Sequence, residues 1–184
     1  AEVSIEKATE YSGEDADIAF RLHQKLMPEL KERNLLSLYE DIEVPLIEIL
    51  ASMEYEGILV NASKLREMSR ALTTEMGGVE EKIYQLSGGA FNINSPKQLS
   101  AVLFERLKLP VVRKTKTGQS TDEGVLEELR DRHPICEEIL RFRELGKLKS
   151  TYVDGLLTQI HPKTGRVHTS YNQTVTATGR LSSS

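Results

Sequence analysis

At 184 residues and 20.7 kDa, with 39% of positions hydrophobic, the chain is long enough to bury a core in one or two domains. It holds no apolar run near the roughly 18 residues of a membrane helix and no signal-peptide pattern. Its single cysteine, Cys136, excludes a disulfide framework, so a reducing, cytoplasmic setting is expected. The net charge of -4 and pI near 5.7 argue, taken whole, against a polyanion partner, but an average hides where the charges sit.

Residues 14–33 place Ile18, Leu22, Leu26 and Leu30 at helical spacing, with Pro28 expected to kink or end the helix. A second helix is predicted over 38–56 from the stripe Leu38, Ile42, Leu46, Ile49 and Met53, with Gly57 as its stop. After the short apolar run Ile58, Leu59, Val60, the series Leu65, Met68, Leu72, Met76, Val79, Ile83 and Leu86 advances by threes and fours. That narrow stripe suits packing against a near-antiparallel partner. Gly77 and Gly78 in its middle each cost about 1 kcal/mol relative to Ala and predict a kink or break there.

Phe91 to Asn94 leads into Ser95-Pro96, an N-cap serine before a proline at the first helical position, and a helix to about Leu107. Leu109 to Gln119 contains Pro110 and Gly118 with little periodicity and reads as an exposed loop. Ser120 with Glu123 forms a capping box for a short helix to about Arg130. Pro134 then opens a long helix to about Gln159, roughly 40 Å at ~1.5 Å per residue. His161-Pro162-Lys163-Thr164-Gly165 is a turn, after which Arg166 to Tyr171 alternates like the start of a sheet. The class is mainly α, with a short β segment near the end and no internal repeat.

The charges are distributed unevenly along this framework. Residues 1–60 carry 5 basic and 14 acidic side chains, whereas 91–120 hold Lys97, Arg106, Lys108, Arg113, Lys114 and Lys116 against Glu105 alone. Residues 140–184 hold Arg141, Arg143, Lys147, Lys149, Lys163, Arg166 and Arg180 against Glu144 and Asp154. Such asymmetry fits a polyanion touched by part of the surface, and solvated faces that balance in three dimensions fit it equally well. On the long helix, Phe142, Leu145, Leu148, Tyr152 and Leu156 form the apolar stripe, opposite Arg143, Lys147 and Ser150. Like charges at i and i+4 repel by a few tenths of a kcal/mol, so an anion between Arg143 and Lys147 would relieve them; a Glu144–Lys147 pair on a solvated face is the competing reading.

Five words in order go further. Asn92-Ile93-Asn94-Ser95, Ser120-Thr121 after the basic loop, Arg143 through Tyr152, His161 through Arg166, and Thr176-Ala177-Thr178-Gly179-Arg180-Leu181-Ser182-Ser183 resemble the family A DNA polymerases of bacteria across essentially the whole chain. The resemblance implies three parts: 1–36, the end of a DnaQ-like 3'-5' exonuclease domain; 37–160, an antiparallel helical thumb; and 161–184, the start of the palm with its short β segment. It implies sugar-phosphate contacts from Asn92, Asn94, Ser95, Ser120, Thr121, Arg143 and Lys147, which position a duplex without reading its sequence. Arg180 matches a residue that reaches the minor groove near the primer terminus, where base-pair acceptors are nearly alike. Thr176 and Ser182 match positions near the same strand.

Tyr11-Ser12-Gly13-Glu14-Asp15 resembles the last exonuclease motif of that family, with Tyr11 orienting water and Asp15 ligating a divalent metal in an intact exonuclease site. By spacing alone a Tyr-x-x-x-Asp pair is an ordinary helix surface, and Asp41-Ile42-Glu43 is read as a decoy on a helix. The resemblance implies a parent enzyme that carries out template-directed DNA synthesis in replication and repair, using dNTPs and Mg2+. In the family the palm carboxylates lie beyond the last of these words, so the fragment is expected to bind primer-template duplex but not to polymerise, and to carry no bound Mg2+. A monomer, off the membrane and associated with the bacterial nucleoid, is expected; Ala1 in place of Met and the uncapped Leu181–Ser184 read as cut ends. Cys136 is read as structural, and His23, His133, His161 and His168 lack metal spacing. Two alternatives stay open: a self-standing nuclease with a helical accessory part, and a non-enzymatic helical interaction module.

Overall fold

The computed structural model describes residues 3–115 and 118–184, with only the backbone at Thr115; Ala1 and Lys116, singled out above, lie outside the described residues. The chain divides into two compact units, Ile58–Val167 and Ala1–Gly57 with His168–Ser184.

In Ile58–Val167, helix α4 (Ala62–Ser87) begins on the Asn61 side chain, which accepts the Lys64 amide, and ends at Gly88 in the left-handed region. It lies antiparallel to α7 (Ile135–Lys147). Glu75 meets Arg141 at 2.7 Å, Lys82 meets Glu138 at 3.6 Å, and Met76 Cε lies 3.6 Å from where a Gly146 Cβ would stand, so rising numbers face falling ones. This is the antiparallel partner that the three-and-four stripe requires. Around the pair, Ile83, Leu99, Leu103, Leu126, Ile135 and Ile139 are fully buried, each side chain contributing about 1.5–3 kcal/mol of transfer free energy.

α4 passes through Gly77 and Gly78 unbroken, against expectation. Val79 and Ile83 on the following turn are buried in the core, and packing of that face outweighs the local propensity. A Cβ at either glycine would meet nothing within 4 Å. Gly77→Ala with Gly78→Ala should therefore stabilise the chain by about 1–2 kcal/mol, read as a higher urea midpoint at unchanged slope.

Ser95 caps α5 (Pro96–Ser100) as expected, accepting the Gln98 amide, and the helix continues as a π-helical stretch, Ala101–Arg106. The expected loop contains a short antiparallel pair, β2 (Lys114–Thr115) with β3 (Gly118–Gln119). At its base the Ser120 amide donates to the Arg113 carbonyl at 2.9 Å. The cap of α6 (Glu123–Glu128) is Asp122, which accepts the Val125 amide, and not Ser120. Ser120 is buried and its hydroxyl donates to Asp122 Oδ2 at 2.8 Å, so its role is to hold the capping residue.

The long helix extends over 135–159, as predicted, but in three stretches: α7, a π-helical Leu148–Asp154, and α8 (Gly155–Gln159). The wider π turns shift the inward face. Val153 is buried, while Leu148, Tyr152 and Leu156, expected in the apolar stripe, are exposed. The turn at 161–165 forms, with the Gly165 amide donating to the His161 carbonyl at 2.9 Å. Beyond it β4 (Arg166–Val167) pairs antiparallel with β1 (Ile58–Leu59).

In the other unit, α1 (Ile5–Glu32) starts at its Ser4 cap, well before residue 14, and contains Pro28 without ending there. The proline removes one hydrogen bond from a 28-residue helix, which continues for about one more turn to its Arg33 cap. α2 (Leu36–Leu38), a π-helical Tyr39–Glu43 and α3 (Val44–Glu56) follow, stopping at Gly57 with φ 63°. α1 buries none of its residues, and Leu50 is the buried apolar side chain of this unit among the described residues. The stripes expected at Ile18, Leu22 and Leu26, and at Ile42, Ile49 and Met53, are exposed because this unit offers them little to pack against. The Tyr171 amide donates to Glu54 Oε1 at 2.5 Å and Gln173 Nε2 to the Glu43 carbonyl at 3.0 Å, which ties the last segment to the 36–56 helix. Instead of one alternating strand, Tyr171 belongs to a separate pair, β5 (Tyr171–Asn172) with β6 (Ser182–Ser183). Among the described residues no helix is long and apolar enough to cross a membrane.

Candidate nucleic-acid interface

Within Ile58–Val167 the expected backbone-contact residues converge on Arg143. One concave surface is lined by Ser95, Lys97, Ser120, Thr121 and Arg143 together with the acids Glu105 and Asp122, and a second, meeting it at Arg143, by Asn94, Lys147, Lys149, Ser150 and Asp154. The Asn92 carbonyl accepts the Ser95 amide at 2.9 Å and its Oδ1 accepts the Asn94 amide at 3.0 Å, so Asn92 shapes the turn that presents Asn94 and Ser95. Short polar side chains at a turn and a helix start are suited to backbone contact without sequence choice.

The residues of this group differ in how much they have left to offer a ligand. Arg143 is half-buried and donates from one guanidinium nitrogen to the Thr121 carbonyl at 2.7 Å. Burial draws its guanidinium below its usual value, while Asp122 and Glu123 oppose that shift. Ser120 and Thr121 are buried, so this pair contributes a fixed corner more than free hydroxyls. Lys147 and Lys97, by contrast, are exposed and make no ion pair among the described residues. The Glu144–Lys147 pairing considered from spacing does not form, and Glu144 makes no ion pair among the described residues, whereas Glu137 pairs with Arg130 at 2.7 Å.

Asp122 was not singled out from the sequence, yet it lies at the centre of this group. Its Oδ2 accepts from Arg113 at 2.9 Å and from Ser120 at 2.8 Å, and its Oδ1 accepts the Val125 amide at 2.9 Å. The Ser120 hydroxyl first, then the Val125 amide and Arg113, hold its carboxyl below the usual carboxylate range. The capping preference of Asp three residues before Val125 was the signal available in the sequence. Lys97 was counted among the basic residues but not as part of a site.

The other expected site residues belong to the second unit. Thr176 donates its hydroxyl to the Arg180 carbonyl across a turn containing Gly179 at φ 74°, Arg180 is exposed, and Ser182 stands opposite Asn172. Tyr11 and Asp15 lie one turn apart on exposed faces of α1. Asp41-Ile42-Glu43 lies on the π-helical stretch, with Glu43 Oε2 accepting from Gln173 at 2.6 Å. Among the described residues no three His, Cys, Asp or Glu side chains are grouped to hold a metal ion, so Asp15 has no companion ligands here. Cys136 is fully buried, and burial pushes its thiol up to about 11, away from nucleophilic use. His133 Nδ1 accepts the Ile135 amide at 3.2 Å, a capping role.

The sequence profile of DNA polymerase family A matches residues 62–184. The chain is 52% identical over 162 residues to DNA polymerase I of Geobacillus stearothermophilus, covering 88% of this chain and 18% of that protein. It is 49% identical over 186 residues to DNA polymerase I of Pseudomonas aeruginosa, covering 100% of this chain and 20% of that one. With the thermostable DNA polymerase I of Thermus thermophilus the identity is 51% over 179 residues, 96% of this chain and 22% of that protein. The chain thus spans about a fifth of the length of these curated relatives. A solved structure of the POL domain of Pol1 from M. smegmatis, in complex with DNA primer-template and dNTP, superposes with a TM-score of 0.78 at 40% identity, covering 91% of this chain and 29% of that one. From the profile and these identities, the chain belongs to DNA polymerase family A.

Proposed function

We propose that this chain is the duplex-holding part of a DNA-directed DNA polymerase, gripping primer-template DNA by its sugar-phosphate backbone. The observation that carries the proposal is the convergence of Asn94, Ser95, Ser120, Thr121, Arg143 and Lys147 on adjoining concave surfaces, with Lys97 and Lys147 free of carboxylate partners among the described residues. Uncompensated cations beside short polar groups attract phosphates through release of counterions, independently of base sequence. The solved relative held DNA primer-template and dNTP, and those are the partners proposed for the whole enzyme.

On this reading 37–160 is the thumb, 161–184 opens the palm, and Arg180, with Thr176 and Ser182 beside it, serves the minor groove near the primer end. Residues 1–36 close a 3'-5' exonuclease domain, of which Tyr11 and Asp15 are the last motif. The whole enzyme would act as a monomer in the cytoplasm, at the nucleoid, with Mg2+ supporting nucleotidyl transfer. The described residues do not supply a donor set for that metal, so no catalytic step is assigned to them.

Titrating labelled primer-template DNA with the 184-residue chain, followed by fluorescence anisotropy at several salt concentrations, tests the grip. Weak binding is expected, equal for unrelated sequences, with log affinity falling against log salt by about 0.9 per phosphate neutralised. Binding without salt dependence, or no binding at low salt, would leave the helical interaction module as the better account.

A further inference from the structure

We propose that Asp122 is a positioning residue for this interface, tying the base of the β2–β3 pair, the buried Ser120-Thr121 corner and the first turn of α6 into one piece although its charge opposes a polyanion. The inference rests on the DNA-backbone reading and deepens it.

The connections form a closed set. Arg113 donates to Asp122 Oδ2 at 2.9 Å, and the Arg113 carbonyl accepts the Ser120 amide at 2.9 Å. Ser120 donates its hydroxyl to the same Oδ2 at 2.8 Å and accepts the Asp122 amide at 3.2 Å. Oδ1 takes the Val125 amide at 2.9 Å, and the adjacent Thr121 carbonyl takes Arg143 at 2.7 Å. A serine in place of Asp122 would cap α6 about as well. A single hydroxyl oxygen could not also accept from a guanidinium and a second hydroxyl, whereas a carboxylate has the acceptor sites for all three. The carboxylate therefore does more than cap. It fixes Ser120 and Thr121, and through the Thr121 carbonyl it sets the position of the Arg143 guanidinium.

Electrostatics alone would not put an acid here. A carboxylate within reach of bound phosphates lowers affinity, and it engages Arg113, which could otherwise face the DNA. Its presence is explained if order at the corner is worth more to binding than the charge takes away.

Asp122→Asn and Asp122→Ala separate the two effects because both remove the same charge. Asparagine keeps an oxygen for the Val125 amide and an NH2 for the Ser120 oxygen, while alanine keeps neither. In the anisotropy titration Asp122→Ala should bind roughly fivefold more weakly than Asp122→Asn, since the two differ in order at the corner and not in charge. Amide exchange at Ser120 and Val125 should accelerate in Asp122→Ala; in Asp122→Asn, which keeps the acceptor for Val125 but loses that for Arg113, Val125 should stay slow and Ser120 should accelerate less than in Asp122→Ala. Arg113→Gln, which leaves the α6 cap in place, should accelerate Ser120 alone. Equal affinities for the two Asp122 variants, or unchanged exchange at Ser120 in Asp122→Ala, would overturn the proposal. If the parent chain itself fails to bind DNA, the polymerase-grip reading fails, and the exchange data still decide whether Asp122 orders the corner.

Discussion

Arg143→Glu combined with Lys147→Glu is expected to abolish measurable primer-template binding. Every phosphate left without its cation should lower the slope of log affinity against log salt by about 0.9, so removing both cations weakens binding by roughly 60-fold at ~0.1 M salt before any new repulsion is counted. The two positions should differ when changed singly. Lys147 is exposed and makes no ion pair among the described residues, so Lys147→Glu should reduce the slope and leave the melting temperature alone. Arg143 also donates to the buried Thr121 corner, and a glutamate there would stand beside Asp122 and Glu123. Arg143→Glu should therefore lower both affinity and thermal stability, the hydrogen bond from a charged donor contributing about 1.5–3 kcal/mol. A double variant that retains the parent slope would remove these residues from the interface.

Ile139→Ala is expected to destabilise the chain by about 3 kcal/mol, and Leu22→Ala by less than about 1 kcal/mol, although both replace a large aliphatic residue on a helix. Ile139 is 0% exposed within the α4–α7 core, where the methyls removed leave a cavity. Leu22 is 50% exposed on α1, which buries nothing among the described residues. Urea denaturation followed by circular dichroism measures both, with the slope checked for two-state behaviour because the chain has two compact units. Comparable losses at the two positions would mean that the core is not confined to the α4–α7 region.

Which parts were legible in the sequence follows from how local their causes are. Ser95-Pro96, Gly57 and the 161–165 turn were readable because caps and turns depend on one or two residues and their own backbone. The α4 stripe was readable because a period of three and four can be buried only against another helix, and α7 is that helix. The stripe at 142–156 was misread beyond Leu145, since a π-helical turn alters the period without leaving a mark in the residue types. The α1 stripe was correctly apolar yet is exposed, because periodicity reports what a helix can bury and not whether a partner is there.

The candidate interface divides in the same way. Asn92, Asn94, Ser95, Arg143 and Lys147 were named from words in the sequence, whose order carries the family. That Ser120 and Thr121 are buried, that Arg143 has given a hydrogen bond to the Thr121 carbonyl, and that Asp122 gathers Arg113, Ser120 and Val125 follow from contacts between segments up to 22 residues apart. By itself the sequence determined the helical class, the family and most positions of the proposed backbone grip, since these depend on residue type and near-neighbour spacing. Only the tertiary structure decided which charges remain free for phosphate, because a cation's availability depends on what lies within about 3 Å of it in space.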